Sequence, residues 1–138
     1  MAFLKLISAL ALPVDDVTRA ARFYERLGFL RSRFTERQNG EAHFVQDNIS
    51  LILAPRYAAT ATQSARDWPL LTYPGGVGPV QFYASVAALD AALAMAESAG
   101  ASGTARVFAN DDQRATGYFS DPDGHMWELR YDAAVSAG

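Results

Sequence analysis

The stretch Val14–Gly28, VDDVTRAARFYERLG, lies over Val86–Gly100, VAALDAALAMAESAG, at a constant offset of 72 residues and without a gap. Val17 meets Leu89, Ala20 meets Ala92, Ala21 meets Leu93, Tyr24 meets Ala96, Leu27 meets Ala99 and Gly28 meets Gly100. In each copy these positions recur at the spacing of one face of an amphipathic helix. Each closing glycine stands where a helix needs a left-handed cap. Asp15 or Asp16 can cap the first helix, whereas the second begins Val-Ala-Ala and offers no capping side chain there.

Working outward, an apolar strand precedes each helix, at 6–14 and at 80–86, and three strand-like runs follow it. They fall at 30–36, 41–46 and 49–54 in the first copy and at 104–108, 115–121 and 126–131 in the second. The chain therefore reads β-α-β-β-β twice, an α+β arrangement in a single domain over 1–138. Residues 1–57 make the first module, 58–78 a connector or lid, 79–132 the second module and 133–138 a flexible tail. Two copies of this length suit a pseudo-symmetric pair better than a solenoid.

Composition narrows the chemistry. The 138 residues include no cysteine and only two histidines, His43 and His125. Thiolate nucleophiles, redox pairs and zinc ribbons are excluded, and so is a three-histidine zinc site. A cytoplasmic setting is the reading that the lack of cysteine favours. With 12 Lys and Arg against 15 Asp and Glu, the net charge of -3 argues against a nucleic-acid or anionic-membrane partner. The one basic run, Arg31, Arg33 and Arg37, has the period of a strand's solvent face and is interrupted by Glu36. The apolar start MAFLKLISALALPV looks in part like a signal peptide, but the repeat requires residues 9–14 as a strand of the fold.

The segments LPVDDVTRAARFYERLGF and GYFSDPDGHMWELRYD resemble the opening and closing signatures of the vicinal-oxygen-chelate superfamily, which includes glyoxalase I, bleomycin-resistance proteins and extradiol dioxygenases. The resemblance runs from Leu6 to Asp132. It implies paired β-α-β-β-β modules whose mixed sheets curl into a ligand-holding cup with the helices outside, in a homodimer. In metal-using members the ligands come from four repeat-related positions, which here are Ala9, Ser50, Gln81 and Glu128. Only the last two can ligate, so a divalent metal would find one carboxylate and one amide oxygen. The expectation is a cup without a metal cofactor.

Strand parity assigns faces within that cup. Trp127, Leu129 and Tyr131 form the face beneath the helix, which leaves Met126, Glu128 and Arg130 on the other. Phe82, Ala84 and Val86 are read as helix-side, and Gln81, Tyr83 and Ser85 as cup-side. Glu128 has two open roles. Burial would suit it to act as a general acid or base, or it orders the cup by hydrogen bonding Gln81 or Tyr83. Tyr83 and Tyr118 supply aromatic walls with phenolic donors, although the parity of Tyr118 is ambiguous. His43 is read as a structural residue near the cup, and His125 as part of the Asp-Pro-Asp-Gly turn. Trp68, in the connector, is the residue placed to fold over a ligand or enter a dimer contact.

Two functions follow. The first is a small-molecule-binding protein of the bleomycin-resistance type that holds a partly aromatic ligand among Gln81, Tyr83, Glu128, Tyr118, Trp68, His43 and Ser50. The second is a glyoxalase- or dioxygenase-like enzyme that performs lyase, isomerase or ring-cleavage chemistry with a divalent metal or with Glu128 as catalytic base. The incomplete ligand set favours the first.

Overall fold

A computed structural model describes residues 9–32, 40–46, 49–56, 78–107 and 112–136. Trp68 and the rest of the expected connector up to residue 77 lie outside the described residues, as do Arg33 and Arg37. The chain divides into two compact units, Met1–Leu71 and Thr72–Gly138.

The first unit contains β1 (Ala9–Val14), α1 (Val17–Arg26), β2 (Leu30–Arg31), β3 (Ala42–Gln46) and β4 (Ile49–Pro55), with strand order β1-β4-β3-β2. β4 runs parallel to β1 and antiparallel to β3, so the sheet is mixed. Asp16 starts α1 by accepting the Arg19 amide at 3.1 Å, and Gly28 at φ 94° lets the chain leave the helix in the left-handed region. The period read in the sequence puts Ala20, Ala21 and Tyr24 at zero exposure, packed with Leu12, Val14, Phe44, Leu51 and Leu53. Tyr24 meets Phe29 edge-on at 5.5 Å, and both rings approach Phe44, at 6.3 and 6.4 Å. Such rings bury large areas and add edge-to-face attraction to the area term.

The second unit repeats the plan with β5 (Val80–Phe82), α2 (Val86–Ala99), β6 (Gly103–Val107), β7 (Arg114–Ser120) and β8 (Met126–Asp132), in the order β5-β8-β7-β6. Leu89, Leu93 and Ala96 of α2 are buried over a face that carries Ala115, Gly117, Phe119, Trp127 and Leu129. Gly117 lets α2 approach β7 closely. A Cβ there would stand 2.7 Å from Leu93 Cδ1 and 3.2 Å from Leu89 Cδ2. Phe119 and Trp127, register partners on β7 and β8, stack at 5.9 Å.

Two expectations are corrected. Strand β5 ends at Phe82 rather than Val86, because Ser85 turns out to be the missing helix cap, accepting the Ala88 amide at 3.0 Å. Of the run expected as a strand over 30–36, Leu30–Arg31 is a strand, and residues 33–36 lie outside the described residues. Ala133–Ser136, expected as tail, forms a short helix α3, started by the Asp132 carboxylate accepting the Ala134 amide.

Candidate functional site

The second sheet gathers the chemistry. In β8 the alternation of Met126–Asp132 buries Trp127 and Leu129 beneath α2, and this sends Glu128 and Arg130 to the other face. Two residues apart on one strand face, they meet directly. Arg130 Nε donates to Glu128 Oε1 at 2.9 Å, and Arg130 Nη2 donates to Glu128 Oε2 at 3.1 Å. This fork engages both carboxylate oxygens, the geometry in which arginine binds a carboxylate best. The pair is graded from inside to outside, since the Glu128 side chain is 10% exposed and that of Arg130 47%.

The register supplies the flanks. On β7, Tyr118 stands opposite Glu128 and Thr116 opposite Arg130. That resolves the parity of Tyr118, whose hydroxyl donates a long hydrogen bond of 3.4 Å to Glu128 Oε1. On β5, Val80 stands beside Glu128 and Phe82 beside Arg130. Both are unusually exposed for apolar side chains, Phe82 at 56%. The face thus has an exposed apolar margin, an ionic centre and a phenolic flank.

This register corrects the face expected for β5. Gln81 pairs with Leu129, which puts it on the α2 side of the sheet, away from Glu128. Tyr83 follows it and donates its hydroxyl to Gln81 Oε1 at 2.8 Å. These two make a local polar pair and do not join the Glu128 cluster.

In the first unit Ala9 and Ser50 are register partners, as the repeat requires. His43 pairs with Ile52 on β4 and alternates with the buried Ala42 and Phe44, so it shares its face with Ser50. Its Nε2 lies 3.6 Å from Glu41 Oε1. His125 lies in the turn between β7 and β8, as read from the sequence. Among the described residues no group of three or more His, Asp and Glu side chains is arranged to hold a metal ion, and no helix is long and apolar enough to cross a membrane.

Sequence reasoning placed Arg130 on the correct face but gave it no role, and it missed Val80 and Phe82. Opposite charges at i and i+2 of a strand were the available signal for Arg130, because such residues share a face.

Electrostatics follow from the packing. The Glu128 hydrogen bond, reinforced by its charge, raises the Arg130 guanidinium above its ordinary value, so this residue stays cationic. Burial raises Tyr118, and the charge and hydrogen bond of Glu128 add to it while Arg130 opposes. Burial alone raises Tyr83. With the folded value above the unfolded one, each tyrosine contributes stability that is complete below the ordinary tyrosine value of 10.0 and is lost as pH rises through the folded value. Ultraviolet titration of tyrosinate is expected to show late-ionising groups, one lost in Tyr118→Phe and another in Tyr83→Phe. A Tyr118→Phe curve with all late groups intact would contradict the assignment.

The chain matches the family model of the Glyoxalase/Bleomycin resistance protein/Dioxygenase superfamily over residues 6–129. Solved structures with this fold include a glyoxalase-related enzyme from Fulvimarina pelagi, with TM-score 0.68 and 20% identity over 94% of this chain and 89% of that one. A lactoylglutathione lyase from Agrobacterium tumefaciens aligns with TM-score 0.63 and 20% identity, over 93% of this chain and 94% of the other. An antibiotic binding protein from a Streptomyces species aligns with TM-score 0.63 and 22% identity, over 96% of this chain and 99% of the other. At such identities the likeness is one of fold. A search of curated proteins gave no match to the sequence.

Proposed function

The chain belongs to the glyoxalase/bleomycin resistance protein/dioxygenase superfamily, and from that membership we propose that it binds a small, partly aromatic organic molecule without a resident metal. The observation that carries this reading is the closed Glu128–Arg130 fork on a face bordered by exposed Val80 and Phe82. Pockets for organic ligands combine apolar walls with a few fixed polar anchors, and this face has both.

The donor set does not fit a metal. Glu128 already gives both oxygens to Arg130, so an ion would have to displace a paired guanidinium. Its neighbour on β5 is Val80, which has no donor atom. In the first unit the corresponding pair is an alanine methyl and the neutral hydroxyl of Ser50, also a poor set for a divalent cation. The same fork makes Glu128 an anchor rather than a base, because its oxygens hold the guanidinium in place. That one relative of this fold is an antibiotic binding protein accords with binding as the primary activity.

Purified protein analysed for metals is expected to hold no stoichiometric Fe, Mn, Zn or Ni. In a small-molecule screen followed by thermal shift, the hits should lose their effect in Phe82→Ala and Arg130→Gln. A chelator-removable metal at one equivalent would favour the metalloenzyme instead. Hits indifferent to both substitutions would place binding elsewhere.

A further inference from the structure

We infer that this face selects an uncharged aromatic carbonyl compound over an aromatic acid, a specificity that rests on the binding reading above. The argument begins with the unused donors of Arg130. A guanidinium carries five N–H donors in a fixed plane. Two of them are committed to Glu128, through Nε and Nη2. Nη1 makes no hydrogen bond among the described residues, and the side chain is nearly half exposed. The fork fixes the plane of the guanidinium, so its outer edge presents pre-aligned donors that an oxygen acceptor completes. Little side-chain freedom remains to be lost on binding.

The apolar margin says what should carry that oxygen. Phe82 stands in register beside Arg130 and Val80 beside Glu128, both exposed. A planar aromatic body covering this margin brings a substituent oxygen toward the guanidinium edge. Aromatic faces also stack on arginine planes, which adds to the fit.

Charge decides between the two classes of acceptor. Glu128 and Arg130 sum to zero. A carbonyl oxygen accepts from Arg130 and leaves that balance intact. A carboxylate would make three charges with a net of −1 around a Glu128 side chain only 10% exposed. The ligand carboxylate would lie at the half-exposed outer edge of Arg130, where water still reaches it, so the cost is its repulsion by Glu128, whose own charge is little hydrated, and its partial loss of water beneath the aromatic body. Tyr118 does not relieve it, since its hydroxyl is directed at Glu128. The common expectation that an exposed arginine marks an anion site is therefore reversed by its carboxylate partner.

The test compares naphthamide, naphthoate and naphthalene at neutral pH by calorimetry, with backbone and side-chain NMR to locate each probe. In the unmodified protein naphthamide should bind at least about tenfold more tightly than naphthoate, and more tightly than naphthalene. Glu128→Gln keeps the shape and one acceptor but removes the negative charge, and it should reverse the order of amide and acid. Naphthoate binding the unmodified protein as well as naphthamide overturns the inference, and so does an unchanged order in a folded Glu128→Gln. If that variant does not fold, the order in the unmodified protein decides. If none of the three binds while screen hits perturb the Phe82 and Tyr118 resonances, the specificity falls and the binding reading stands. If no compound binds at all, both fall.

Discussion

Phe44→Ala is expected to lower the unfolding free energy by about 3–5 kcal/mol, the usual cost of truncating a buried aromatic ring. Phe44 is fully buried in the first unit, at the point where Tyr24 of α1 and Phe29 after the helix converge on β3. Removing it takes away apolar contact and also opens a cavity between helix and sheet. The surrounding side chains close it only partly, because two of its neighbours are rigid rings. A control separates volume from chemistry. Phe44→Leu retains much of the volume and should cost markedly less. Urea unfolding checks both, and a loss below about 1 kcal/mol for the alanine variant would mean that the site collapses or is less packed than described.

The second large effect lies in the turn that sets the register of the candidate site. Asp121 is fully buried between β7 and β8. Its Oδ1 accepts the amides of Asp123 at 2.9 Å and His125 at 2.8 Å. Its own carbonyl accepts from Gly124 at 3.0 Å and from Ser102 Oγ at 2.8 Å. Gly124 adopts φ 87°, a conformation that other residues strain to reach. Asp121→Ala leaves two part-buried amides without their carboxylate acceptor, which amounts to about 2–4 kcal/mol when bonds to charged groups are worth roughly 1.5–3 each and are not fully additive. Asp121→Asn keeps one acceptor oxygen and should recover about half. Because this turn fixes Tyr118 opposite Glu128, the alanine variant should also lose the late ionisation of Tyr118. Thermal unfolding and tyrosinate titration measure the two consequences independently. An alanine variant as stable as the parent would show that water replaces the carboxylate.

What the sequence made legible, and what it did not, separates along one physical line. Helix faces were readable because the 3.6-residue period is internal to each segment. Hence Ala20, Ala21, Tyr24, Leu89, Leu93 and Ala96 are buried as the repeat implied. The glycine ends agreed too, and Gly100 adopts φ 109° beside Gly28 at 94°. The parity of β8 was readable because Trp127 and Leu129 alternate with polar residues. The pairing of β5 was not. The offset of 72 holds at the closing glycines, but the caps Asp16 and Ser85 are 69 apart, and the register-matched Ala9 and Val80 are 71 apart. Strand parity puts Gln81 in the cup because it takes the apolar Phe82 as buried under the helix, whereas the hydrogen-bond register puts Val80 beside Glu128 and leaves Phe82 exposed. A three-residue strand has too little pattern of its own to correct the error. A one-residue slip moves every side chain to the other face, and Gln81 and Tyr83 changed sides with it.

The closed fork on β8 has one more consequence, which concerns distance. A lone arginine at the rim of a binding face projects a field that reaches about a Debye length, roughly 8 Å at physiological ionic strength, and draws in anions from solution. Arg130 has its opposite charge only 2.9 Å away on the same strand. From outside, the two act as a small dipole, whose influence fades much faster than that of a single charge. The face is therefore electrically quiet until a molecule touches it. It captures by contact rather than by attraction at a distance, and added salt should barely change how fast ligands arrive.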